Sequence, residues 1–153
     1  SASSARAVPK ARRVPRDATA TTVASKARIA TTRIVLDHAA KPAIAEGGSP
    51  GWSDRIAALA ACGNVWCKIS GLATEATWHD WDADRLFPFV AHAANCFGED
   101  RLIFGSDWPV CLLAGSYAEI KDALEACLAR LGANVRAKAF GVNAQLAYRL
   151  RAD

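Results

Sequence analysis

Several features that would define a protein class are missing from this sequence of 153 residues. No uninterrupted apolar run reaches about 18 residues, which predicts no transmembrane helix and no membrane partner. The five cysteines are odd in number and none forms a C-x-x-C pair, which argues against a zinc cluster and against a disulfide framework. We interpret them as small reduced core residues of a cytoplasmic protein.

Net positive charge is confined to the start of the chain. Residues 1–33 contain eight Lys or Arg and one acid, whereas residues 34–153 contain eleven Lys or Arg and fourteen acids. The body of the chain is therefore mildly acidic, and we expect no nucleic-acid partner for it. A nucleic-acid interaction through the basic tail alone is a weaker hypothesis, which loss of salt-dependent DNA binding on deletion of residues 1–30 would support.

Residues 1–32 differ in composition from the rest and form a separate segment. They are rich in Ala, Arg, Ser and Thr and contain no aromatic residue, and their apolar residues do not recur at helical or strand spacing. Such a segment buries too little apolar surface to offset its ordering entropy. It can be a disordered basic tail, an acid-poor targeting peptide, or coding sequence read in the wrong frame or cut upstream. The third interpretation, a wrong reading frame or an upstream cut, is favoured. The chain contains no methionine, and the segment lacks the sequence pattern that a functional tail or a targeting peptide would show.

Residues 33–153 alternate between short apolar runs and amphipathic segments, as in βα units. Strands are predicted at 34–36, 65–70 and 102–104. Helices are predicted at 53–63, 82–98, 116–132 and about 135–150. Ser53 can cap the first, with Ile56, Leu59 and Ala60 on its inner face, and Asp82 or Asp84 can begin the second. Ser116 and Glu119 form a capping-box pattern at the start of the third. This order predicts an α/β fold with a parallel sheet. Three strands make either a small open α/β domain or the last part of an eight-stranded barrel.

Two polar positions stand out in this pattern. Asp107 follows the third strand, where an α/β barrel places catalytic groups, although an aspartate that only caps a turn is an open alternative. Alternation along the second strand places Trp66, Lys68 and Ser70 on one face. Lys68 would then point into a barrel and need an acidic partner, either Asp37 or Asp107.

Four motifs in order resemble the amidohydrolase-related family, in its sugar-lactonase and dicarboxylate-lactonase branch. They are similar to the family's strands six, seven and eight and to its terminal helix. In this sequence they occupy 35–42 (VLDHAAKP), 64–72 (NVWCKISGL) with 74–76, 97–110 (FGEDRLIFGSDWPV), and 140–144 with 148–150. The resemblance covers residues 33–151 and implies the C-terminal part of a (β/α)8 TIM barrel.

The resemblance also implies an activity and a set of site residues. It implies a hydrolase that opens a sugar lactone or a similar cyclic ester, with Asp107 as the general base for the attacking water. His38 is implied as a metal ligand or as the group that polarises the substrate carbonyl, and Asp107 as a second ligand of a zinc-like divalent metal, although some relatives need none. Lys41 is expected to hold a substrate carboxylate, and Glu75 and Trp108 to contact the small-molecule lactone.

The sequence departs from this family in one respect. No H-x-H motif is present, and nothing resembles strands one to five. We therefore expect an incomplete metal site, a chain that alone is inactive or very weakly active, and self-association through exposed barrel edges. The alternative is a non-catalytic α/β module that binds a small acid through His38, Lys41 and Asp107.

Overall fold

The computed structural model describes residues 32–151. The interpretations of the N-terminal segment concern residues that, apart from Thr32, lie outside this range.

Three parallel strands form one sheet in the order β1 (Ile34–Leu36), β2 (Val65–Ile69) and β3 (Leu102–Phe104). The predicted α/β fold with a parallel sheet is thereby confirmed. Among residues 32–151, no helix combines the length and apolar character needed to cross a membrane.

Helices follow each strand. The α-helices are α1 (Trp52–Ala60), α2 (Ala83–Phe97), α3 (Tyr117–Leu131), α4 (Ala133–Ala137) and α5 (Asn143–Tyr148). A π-helix, Lys138–Val142, joins α4 to α5, and short 3-10 turns occupy Asp37–Ala40, Ile44–Glu46, Ala73–Glu75, Glu99–Arg101 and Val110–Leu113. Of the two candidates for the start of α2, Asp82 is the N-cap, and Ser116 forms the predicted capping box with Glu119.

The hydrophobic core lies between the sheet and its helices. Val65, Cys67 and Ile69 point towards the helices and are buried, whereas Trp66 and Lys68 lie on the opposite face and are half-buried. This is the predicted alternation of β2, although the strand ends one residue earlier than expected. None of the five cysteines forms a disulfide. Cys67, Cys111 and Cys127 are buried as predicted, whereas Cys96 is half-buried and Cys62 is exposed, so the interpretation as a core residue is wrong for Cys62.

The prediction for α1 is wrong at two residues. The N-cap is Gly51 rather than Ser53, because Trp52 already lies in the first turn and donates its indole N–H to the Ala39 carbonyl at 2.8 Å. Leu59 is 37% exposed. Trp52, Ile56 and Ala60, each one turn apart, form the buried stripe, and Leu59 lies beside it.

The terminal helix also differs from its prediction. A single helix was expected over about 135–150, but helical structure begins at Ala133, ends at Tyr148 and contains the π-turn. The π-turn allows Phe140 to stack on Phe104, with ring centroids 4.2 Å apart. Just beyond it, the Asn143 amide donates to the carbonyls of Glu99 and Leu102, both at 2.8 Å. Contacts with β3 thus interrupt the continuous α-helix that the sequence pattern predicts.

Candidate functional site

The candidate site is formed where the three strands end. His38 follows β1, Ser70 follows β2 and Asp107 follows β3 after a short turn. The carboxyl ends of parallel strands share one edge of the sheet, so these side chains come together. This arrangement places the two candidate residues His38 and Asp107 at the same edge of the sheet.

A left-handed turn positions the residues that follow β1. His38, Ala39, Ala40 and Lys41 all have positive φ, between 45° and 57°, and the Lys41 N–H donates to the His38 carbonyl at 2.8 Å. This conformation costs roughly 1–2 kcal/mol per non-glycine residue. Burial of Ala39 and the bond from the Trp52 indole to its carbonyl hold the turn. The backbone is therefore strained at the two predicted site residues, His38 and Lys41, a pattern common at functional sites.

His38 and Asp107 meet across a glycine. His38 Nε2 lies 3.8 Å from Asp107 Oδ1, and the two side chains are 22% and 14% exposed. Between them, Gly71 has a φ of +60°, and a Cβ added there would lie 2.7 Å from His38 Nδ1 and 3.0 Å from Asp107 Oδ2. The absence of a side chain at Gly71 is what allows the histidine and the carboxylate to approach.

Ser70 contacts the other side of the imidazole. Its Oγ lies 2.9 Å from His38 Nδ1, and the residue is only 1% exposed. Gly105 makes room for it, because a Cβ at Gly105 would lie 3.1 Å from both Ser70 Cβ and Lys68 Cδ. Both ring nitrogens of His38 therefore face polar groups.

Lys41 and Glu75 form an ion pair beside this cluster. The Lys41 ammonium donates to Glu75 Oε1 at 2.7 Å, and the 3-10 turn after β2 carries the glutamate. The hydrogen bond to Glu75 is the main cause of the raised pKa of Lys41, and the negative charges of Glu75 and Asp107 add to it while partial burial opposes it. The site thus contains a permanent positive charge.

The remaining predicted residues lie nearby. Lys68 Nζ is 2.5 Å from Asp37 Oδ1, so Asp37 and not Asp107 is its acidic partner. Trp108 directly follows Asp107, is 65% exposed, and is anchored by its backbone N–H, which donates to Ser106 Oγ at 3.2 Å. The indole is available to a ligand but contributes little to the core.

The donors at this edge do not make a complete metal centre. In the part of the chain that the structure describes, no group of three or more His, Cys, Asp or Glu side chains could hold a metal ion. His38 Nε2 and Asp107 Oδ1 are two donors, whereas a catalytic zinc takes three ligands from protein. Residues 32–151 therefore supply too few donors to hold such a metal by themselves.

Two site residues were not predicted to have roles. Ser70 was placed only on the inner face of its strand, and Gly71 only at the strand's end. The single sequence signal for them is K-x-S-G, a serine in phase with Lys68 and followed by glycine. Nothing in that signal specifies a contact with a histidine 32 residues earlier.

A parallel α/β sheet with a strained histidine turn and a carboxylate at its carboxyl edge is the architecture of α/β enzymes. The sequence model of the amidohydrolase family matches residues 11–150, and the chain belongs to that family. The match begins inside the segment that composition separates from the rest, so the domain boundary at residue 32 stays a prediction.

Two curated relatives match most of this chain over less than half of their own length. The L-fucono-1,5-lactonase of Burkholderia ambifaria is 49% identical over 122 residues, which cover 77% of this chain and 42% of that protein. The L-fucono-1,5-lactonase of Burkholderia multivorans is 42% identical over 127 residues, covering 76% of this chain and 43% of that protein. The chain thus spans less than half the length of these curated relatives.

A solved structure supports the same likeness. The crystal structure of an amidohydrolase from Burkholderia multivorans with bound zinc superposes with a TM-score of 0.75 at 41% identity. The superposition covers 84% of this chain and 48% of that one. Zinc is therefore a property of at least one relative of similar fold.

Proposed function

We propose that β1, β2 and β3 are the last three strands of a (β/α)8 barrel whose carboxyl edge hydrolyses a sugar lactone or a similar cyclic ester. The observation that carries this proposal is the 3.8 Å approach of His38 to Asp107 across Gly71. It brings together, from two different strands, a proton acceptor and a group able to stabilise an oxyanion. The 49% identity to an L-fucono-1,5-lactonase supports a lactone as the substrate class.

In the proposed reaction, Asp107 accepts a proton from water as the water oxygen forms a bond to the lactone carbonyl carbon. The negative charge that develops on the carbonyl oxygen is stabilised by His38. The ring C–O bond then breaks, and the proton held by Asp107 passes to the departing ring oxygen. The product is the open hydroxy acid, and Asp107 returns to its carboxylate form.

Lys41, Glu75 and Trp108 are proposed to bind the substrate around this centre. The Lys41 ammonium can hold a carboxylate or a hydroxyl oxygen, and Glu75 can accept a hydrogen bond from a sugar hydroxyl. Both remain partly accessible, since their side chains are 55% and 23% exposed. The exposed indole of Trp108 can cover an apolar face of the sugar ring.

The described residues supply only part of such a site. They provide two potential metal donors, and the chain spans 42% of the Burkholderia ambifaria lactonase. A zinc-like metal, where the complete protein binds one, would need further ligands from other strands. We therefore propose that residues 33–153 act as a partial barrel domain and turn over lactones weakly, if at all, without the complementary strands.

A chimera tests the role of Asp107. The part of the Burkholderia ambifaria lactonase that precedes its matched region is joined ahead of residue 33, and hydrolysis of L-fucono-1,5-lactone is measured. We expect Asp107→Asn to lower kcat by roughly 10²–10⁴-fold, because the general base is lost. Thr74→Val is the control, since the Thr74 hydroxyl bonds only the Gly71 carbonyl in the described structure.

Two outcomes would contradict this assignment. Full activity of a folded Asp107→Asn chimera would remove Asp107 from the reaction. Binding of the lactone without turnover by the unsubstituted chimera would instead favour the alternative of a small-acid-binding module.

A further inference from the structure

The contact between Ser70 and His38 restricts where the imidazole can carry its hydrogen. Ser70 is 1% exposed, and among residues 32–151 its hydroxyl has one hydrogen-bond partner, His38 Nδ1 at 2.9 Å. A neutral imidazole has one N–H donor and one acceptor nitrogen, and a serine hydroxyl can donate or accept. Two arrangements are therefore chemically possible at this contact.

The two arrangements differ in what they leave unpaired. If Nδ1 carried the hydrogen, Ser70 Oγ would accept it, and the buried serine hydrogen would have no acceptor. If Ser70 donates to Nδ1, both groups are paired and the imidazole hydrogen lies on Nε2. That hydrogen then faces the carboxylate of Asp107, whose Oδ1 is 3.8 Å from Nε2. Because an unpaired buried hydroxyl is unfavourable, the second arrangement is preferred.

We propose that Ser70 is a positioning residue that donates to Nδ1 and holds His38 in its Nε2–H tautomer. His38 then presents a hydrogen-bond donor at the site instead of a lone pair for a metal. This inference rests on the proposed function, where it distinguishes between the two roles predicted for His38: the residue stabilises the carbonyl oxygen by donating from Nε2. Gly71 and Gly105 serve the same arrangement, since side chains there would displace the histidine or the serine.

The tautomer can be measured directly on the whole chain by long-range ¹H–¹⁵N NMR of the imidazole rings. The spectrum is recorded at about pH 8, where an ordinary histidine is neutral. The chain has three histidines, so loss of one set of signals in His38→Gln assigns the ring. We expect the Nε2–H pattern for His38. An Nδ1–H pattern in the unsubstituted protein would overturn the proposal.

Variants of Ser70 separate positioning from simple packing. In Ser70→Ala we expect the Nδ1 resonance of His38 to shift and the two tautomers to become mixed, whereas Ser70→Thr keeps the original pattern. Thr74→Val, which removes a nearby hydroxyl that does not contact His38, should leave the ring signals unchanged. Unchanged His38 signals in a folded Ser70→Ala protein would overturn the role of Ser70.

The experiment does not depend on catalysis. If Ser70→Ala fails to fold, an Nδ1–H pattern in the unsubstituted chain still overturns the proposal. Ser70→Cys, which keeps a weak donor in a similar volume, then tests the role of Ser70 by a shift of the His38 Nδ1 resonance. No lactone is turned over in these spectra, so a wrong tautomer and a wrong substrate class would be recognised separately.

Discussion

At the scale of single residues, the site depends on close approaches that only small or strained residues allow. His38 to Lys41 keep four successive left-handed conformations, and Asp107 also has a positive φ, of 61°. Because Gly71 has no side chain, His38 and Asp107 can approach each other across its backbone. The chemistry of the site therefore depends as much on backbone shape as on the identity of its polar side chains.

Replacing Gly71 tests that dependence. In Gly71→Ala, the new Cβ would lie 2.7 Å from His38 Nδ1 in a left-handed backbone, so we expect a loss of about 1–3 kcal/mol in the free energy of unfolding. Urea denaturation measures it. Gly63→Ala is the matched control, because a Cβ there meets no atom within 4 Å and should change stability little. Equal stability of the two variants would contradict the account of Gly71.

Buried thiols make a prediction about alkaline pH. Burial raises the pKa of the Cys67 thiol from about 9 to about 12, and that of Cys127 to about 11. Above pH 9 these thiols ionise in the unfolded chain but stay protonated in the folded one, so the unfolded state binds fewer protons. We therefore expect the free energy of unfolding to fall as pH rises from about 9 towards 11, measured by urea denaturation under reducing conditions.

Cys67→Ala provides the comparison for this pH effect. The variant loses packing at every pH, but its stability should decline less steeply above pH 9 than that of the unsubstituted chain. A decline of the same steepness would show that Cys67 ionisation does not contribute.

At the scale of elements, the parts that could be predicted from sequence are those set by local pattern. The three strands follow from short apolar runs and from the alternation along β2, and the Ser116–Glu119 capping box follows from cap chemistry, which also names Asp82 as one of two candidate caps. The π-turn and the N-terminus of α1 could not be predicted from local pattern. Phe140 stacks on Phe104 of the distant strand β3, and Trp52 donates to the carbonyl of Ala39. The left-handed turn had little local signal. Histidine is enriched at positive φ, but the alanines and the lysine at the next three positions are not.

The candidate site, like the fold, could be predicted from the sequence only in part. His38 and Asp107 were singled out by motifs at strand ends, and the structure brings them together. Ser70 and Gly71 acquired their contacts only when β1, β2 and β3 were assembled in register. Residues whose role depends on a neighbouring strand cannot be recognised from spacing within their own strand.

The two serines proposed as caps give a prediction at this scale. Ser116→Ala removes the side chain that accepts from the Glu119 N–H, and we expect a loss of about 1 kcal/mol in the free energy of unfolding. Ser53→Ala is the control, because the structure places the N-cap of α1 at Gly51. Urea denaturation should show a clear loss for the first variant and almost none for the second. The reverse order would contradict both cap assignments.

At the scale of the whole molecule, the sheet and the terminal helices leave surfaces that favour association. Within residues 32–151, β1 and β3 each pair with one neighbour only. The terminal segment also exposes a group of large apolar side chains: Val142, Leu146, Tyr148 and Leu150. Open strand edges beside exposed apolar surface are typical of chains that associate.

Sedimentation velocity tests this expectation. We expect the mean sedimentation coefficient of the chain to rise with concentration, and Leu146→Glu to reduce the rise. Leu59→Glu, which changes an exposed leucine on α1, is the control and should behave like the unsubstituted chain. A monomer at all concentrations would contradict the prediction.

Lactone hydrolysis by the chain itself, compared with hydrolysis by the chimera, is the sharpest test of the proposed partial barrel. We expect turnover of L-fucono-1,5-lactone by the chimera and none, or almost none, by residues 33–153 alone. Turnover by residues 33–153 alone at an ordinary enzymatic rate, a kcat of about 1–10³ s⁻¹, would contradict it.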